Sequence, residues 1–169
     1  MSQILFNQES SHLAQTLNLE SWKLEINAAN NAFIHGQHSR AFHHYEAALV
    51  LAKSGITDLL GVKTAKNLLV EAERQIAALV VTRHNLADLF QQSGQINESV
   101  GHLCDAHEAL FQLLHHPDTA IRSIAQQHMR ITYLELMTFI QHHGPQGRIQ
   151  QSLLLTQYIC ECCRQKTGQ

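Results

Sequence analysis

The stretch "HNLADLFQQSGQINESVGHLCDAHEAL", residues 84–110, carries two patterns at once. His84, His102, Cys104 and His107 are common metal-binding or acid–base side chains. Leu86, Ala87, Phe90, Ser99, Leu103 and Ala106 instead alternate small and large groups on either side of Gly94. Recurrence at three and four residues places side chains on one helical face, and glycine readily ends a helix. The stretch therefore predicts two helices folded back on each other about a glycine turn.

Outward from this hairpin the same spacing continues. Ala65, Leu68, Leu69, Ala72, Ile76, Leu79 and Val80 extend the stripe, so a long helix is expected from Thr64, a capping residue, to Ser93. Gly36 separates a helix starting near Ser21 from one over about 39–53, and "SGITDLLGVK" is expected to be a loop. Beyond Gly94 come helices over about 97–115 and 119–143, the second capped by Asp118. "GPQG" then turns the chain into a last helix near 148–164. No segment alternates with period two, so no strand is expected. The fold class is all-α: a single domain of antiparallel hairpins over about 21–53, 64–115 and 119–164, with 1–20 as an N-terminal arm or short helix.

Composition narrows the function classes. The 169 residues are 44% hydrophobic and 15% charged, enough to bury a core. A net charge of −2 offers no basic surface for nucleic acid or anionic lipid. No apolar run approaches a membrane span, and the start lacks a signal-like segment, so a cytoplasmic protein is expected. Three of the four cysteines crowd together as Cys160, Cys162 and Cys163, unlike a framework of spaced disulfides. Histidine is abundant, with 13 residues, and is expected mainly as polar surface.

Two segments repeat one theme. Ala28-Ala29-x-x-Ala32 followed by Ala41-x-x-x-Tyr45 and Ala48 parallels Leu86-Ala87-x-x-Phe90 followed by Ser99-x-x-x-Leu103 and Ala106. Gly36 and Gly94 hold equivalent turns. These segments, 21–52 and 80–113, resemble tetratricopeptide repeats, in which small residues let paired helices approach and larger ones fill the space against the next pair. The likeness covers a little over a third of the chain. It departs from the family at Glu25 and Arg83, where the pattern wants tryptophan, and in its wide repeat spacing. Residues 119–164 carry no copy of the motif.

The resemblance implies six to seven helices stacked as a right-handed superhelix whose concave groove binds an extended or helical peptide. Transferred by position, the groove holds Lys23, Ile26, Asn30, Phe33 and Ile34 from the first hairpin. From the second it holds Val81, His84, Asn85, Asp88, Gln91 and Gln92. Asn30 and Asn85 match backbone-gripping positions, but Ile26 stands where a carboxylate-clamping lysine would be. A non-enzymatic protein- or peptide-binding module is expected, with no cofactor, and a secretion-type chaperone of this family is an alternative. A second alternative is a metal- or pH-responsive regulator, for which Cys160 and Cys163, three apart on a helix, are candidate ligands. The long helix also offers a face for a homodimer. No glycine-rich loop or nucleophile motif points to catalysis.

Overall fold

The computed structural model describes the backbone of residues 2–61 and 68–166 and the side chains of 18–59 and 69–156. Six helices occupy these residues: α1 (Ser2–Ile34), α2 (His38–Gly61), α3 (Leu68–Gln92), α4 (Ile96–Leu113), α5 (Thr119–His143) and α6 (Gly147–Lys166). The described residues hold no strand. The fold is all-α.

Two turns are built alike. Gly36 and Gly94 adopt φ of 69° and 73°, a left-handed conformation open to glycine at little cost. In the first turn, Gly36 N donates to Phe33 O and Gln37 N to Ala32 O. In the second, Gly94 N donates to Gln91 O and Gln95 N to Phe90 O. This pairing caps the carbonyls at a helix end. Asp118 starts α5 as expected, its side chain accepting from Ala120 N at 2.8 Å.

Cross-helix bonds set the directions. Asn18 donates to Leu51 O and Glu25 meets His44, so α1 and α2 run antiparallel. Trp22 reaches Thr82 and Asn30 reaches Asn85, so α1 and α3 run the same way. Electrostatic neighbours place Glu73 near His128 and His84 near Glu135, and Gln91 bonds His143, so α5 follows the same direction as α3. Arg148 at the start of α6 pairs with Asp105 and Glu108, and His107 lies against Thr132 of α5 and Thr156 of α6.

The small positions common to both copies of the motif are buried. Ala29, Ala41, Ala48, Ser99 and Ala106 are fully buried and Ala87 nearly so, while Tyr45, Leu86 and Leu103 fill the space between. One large core cluster links α1 through α5, and a second gathers Ala87, Val100, Leu103 and Cys104 with Leu136, Phe139 and Ile149.

Two sequence expectations change. The expected arm or short helix over 1–20 is continuous with α1 from Ser2, because no proline or glycine interrupts 2–34. Helix α2 does not stop near Lys53: the expected loop "SGITDLLGVK" is helical through Gly61. There Gly55 is buried against α3, where a Cβ would overlap Gln75 Oε1, so glycine marks a close crossing rather than a break. Helix α3 is described from Leu68, and the expected cap at Thr64 lies outside the described residues.

Gln75 is 2% exposed and donates to Glu71 Oε1 at 3.0 Å, so it has little room to yield. Gly55→Ala should therefore fail to deliver the roughly 1 kcal/mol that alanine normally adds to a helix. In a Gln75→Ala background the same substitution should stabilise by about 1 kcal/mol. Urea unfolding of the four proteins measures this coupling, and additive effects would remove the steric account.

Candidate partner-binding face

The positions transferred from the repeat pattern fall mainly along the side where α1, α3 and α5 lie together. Asn30 on α1 is the hub between the first two hairpins. Its Oδ1 accepts from Tyr45 Oη at 2.8 Å and from Asn85 Nδ2 at 3.0 Å, joining α1, α2 and α3 through one oxygen. Asn30 and Asn85 are thus spent partly on each other. Tyr45 is held as the neutral phenol: burial, with Asp88 adding to it, pushes its hydroxyl up to about 12.

Next to this hub His84 and Asp88 share one face of α3. His84 Nε2 is buried without a hydrogen-bond partner among the described residues. Its burial favours the neutral ring, against a smaller opposite pull from Glu135. Asp88 is exposed, and its carboxyl is raised by desolvation and then by Glu135. No ion pair neutralises Asp88 or Glu135 among the described residues. Gln91 Nε2 lies 2.9 Å from His143 Nε2 on α5, and Gln92 is exposed.

The α1 positions divide. Lys23 is exposed and paired with Glu20 at 2.6 Å. Ile34 is 79% exposed at the helix end, whereas Phe33 is half-buried with its ring edge-on to Tyr45. Ile26 is a correction: it is a core residue, only 5% exposed, and lines no open surface. Val81 stays exposed. Glu135, His128 and His143 join this side from α5, and sequence comparison missed them because 119–164 carries no motif to set a register.

The remaining metal-type residues of the opening stretch are structural. Arg83 Nη1 lies 3.0 Å from His102 Nδ1, and since arginine only donates, that ring nitrogen accepts. His102 also stacks on Phe90 with centroids 5.3 Å apart. Burial first, then Arg83, holds its pKa down at about 4. His107 is buried, with Nδ1 2.8 Å from Thr132 Oγ1 and Nε2 3.4 Å from Thr156 Oγ1, which ties α4 to α5 and α6. Cys104 is buried beside it, and that burial raises its thiol to about 11, away from reactive thiolate. Histidine as polar surface is therefore only part of the account, since His44, His102, His107 and His116 all hold cross-links or turns.

Among the described residues no group of three or more His, Cys, Asp or Glu is placed to hold a metal ion. The side chains of Cys160 and Cys163 lie outside the described residues. No described helix is long and apolar enough to cross a membrane.

Among comparisons with known proteins, a family model described as "Protein of unknown function (DUF2753)" matches residues 20–167. That is most of the chain, which belongs to this family. No curated protein and no solved structure shows a significant match.

The histidine environments set a pH response. His84, His102, His107 and His128 all have pKa values lowered by burial. The unfolded chain therefore binds protons more readily. Their stabilising contribution is complete above about pH 6.5 and is lost as pH falls, through about 4 for His102. Asp88, with its raised carboxyl, acts in the opposite direction but alone. The urea midpoint should fall between pH 7.5 and pH 5. His102→Gln, which keeps an acceptor for Arg83, should remove about 1–2 kcal/mol of that fall after allowance for solvent screening. A pH-independent midpoint would contradict these environments.

Proposed function

We propose that this DUF2753 protein is a non-enzymatic, tetratricopeptide-like binding module of the cytoplasm that docks a protein or peptide along the side formed by α1, α3 and α5. The observation that carries the reading is the co-directional run of these three helices, with α2 packed against α1 and α4 against α3, while α6 packs chiefly against α4. In a stack of helical hairpins, that order gives the first helices of successive pairs one common surface. Burial of the small motif positions Ala29, Ala41, Ala48, Ala87, Ser99 and Ala106 supports the same relationship.

Roles follow from what each side chain has left to offer. Ile34 and Val81 present apolar contact, and Gln92 an uncommitted amide. Asp88 and Glu135 supply negative charge that the chain itself leaves unpaired among the described residues. His84 adds a ring nitrogen without a partner. Asn30, Asn85 and Tyr45 act as the rigid bed beneath them, because a contact surface held by its own hydrogen bonds loses less entropy on binding. Fold alone does not fix function, so the surface residues carry the case.

The test is selection of peptides from a displayed random library on the immobilised chain, followed by affinity measurement on a variant. His84→Ala with Asp88→Lys should weaken the selected peptides about tenfold or more, a loss of roughly 1.4 kcal/mol, with an unchanged circular dichroism spectrum. Peptides that bind this variant as tightly as the parent chain would remove the assignment.

A further inference from the structure

Between the first turn of α2 and the turn joining α3 to α4 lies an open cleft of about 410 Å³. Leu89 and Phe90 come from α3, but no lining residue is among the partner-face positions named above. Its floor is Leu89 with the rings of Phe42 and Phe90, whose centroids stand 5.8 Å apart at 71°. Phe90 is backed by the stacked ring of His102, so the floor is fixed from behind. Its walls are polar: His38, Ser39 and His43 on α2, and Gln95 at the start of α4.

We propose that this cleft binds a small aromatic acid, a planar ring bearing a carboxylate or similar anionic group. The size falls in the range of small-molecule sites, roughly 300–1,000 Å³. An edge-to-face phenylalanine pair offers a third ring both a face and an edge, the arrangements aromatic rings prefer. The walls select the charge. The His38 and His43 rings have no hydrogen-bond partner among the described residues, the first lying beside Phe33 and the second beside Phe42. With the Ser39 hydroxyl and the Gln95 amide they form a set able to donate hydrogen bonds.

No carboxylate lines the cleft, and the first turn of α2 contains none. A cation would find no counter-charge there, whereas an anion can take charge-assisted hydrogen bonds from side chains that can each turn a donor toward it. Ser93 does not compete, because its hydroxyl is committed to Leu89 O at 2.9 Å.

Titration of the full chain with benzoate, followed by calorimetry and by ¹H–¹⁵N spectra, tests the assignment. Benzoate should bind saturably in the range of about 0.1–5 mM, with shifts centred on residues 38–43 and 89–95. Benzylamine, the same ring with a positive charge, should bind at least about tenfold more weakly. His38→Ala with His43→Ala changes two exposed helix positions to a strong helix former and leaves the core intact. That variant should lose about tenfold in benzoate affinity while keeping its thermal midpoint. Absence of saturation by benzoate, equal binding of benzylamine, shifts centred elsewhere, or unchanged affinity in the variant would each overturn the proposal.

Discussion

Helices approach closely only where side chains stay out of the way, and this molecule depends on that constraint. Ala29 and Ala41 are fully buried and sit on either side of the Gly36 turn; Ala87 and Ser99 do the same around Gly94. Larger groups such as Tyr45, Leu86 and Leu103 then fill what those small residues leave open. Enlarging a small position would force neighbouring side chains off their preferred rotamers, a cost of about 1–3 kcal/mol at a well-packed site. Gly55 extends the constraint to the contact between hairpins, where even a methyl group meets Gln75.

Polar contacts add register to this packing. The Asn30 oxygen serves two helices, and His107 reaches two more from the opposite end of the stack. Between them Arg83 pairs with Asp105 at 2.9 Å, and Asp105 meets Arg148, which also holds Glu108. The buried and part-buried bonds of Asn30 and His107 are costly to leave unmade, so they penalise slipped packings more than they raise net stability. Helices α5 and α6, which lack the small-residue motif, are each attached to α4 through such groups and through Leu136, Phe139 and Ile149.

The legibility of the sequence follows from this division. Apolar spacing and the Gly36, Gly94 and Asp118 signals are local, so the presence of all six helices and the turns at those signals could be read directly. The continuation of α2 could not, because Gly55 looks like a breaker until Gln75, distant in sequence, is known to lie against it. Ile26 is misplaced for a similar reason: a position transferred from a repeat pattern does not tell which residues a divergent hairpin buries. Of the candidate face, His84 and Asp88 were visible through the repeat. Glu135, His128 and His143 were not, since only tertiary packing brings α5 beside α3. Histidine roles were the least legible, because a ring that accepts from Arg83 and one facing solvent are spelled alike.

The indole contact between the first two hairpins gives the molecule a property of its own. Trp22 is the single tryptophan of the chain, and its ring nitrogen donates to Thr82 Oγ1 across α1 and α3 at 2.8 Å. The Thr82 hydroxyl in turn donates to Ala78 O, so the indole is anchored to the backbone of α3 through one hydroxyl. The chain thus carries an intrinsic optical gauge of whether α1 is seated on α3. Its emission reads the docking of these two helices while remaining blind to events at the far end of the stack.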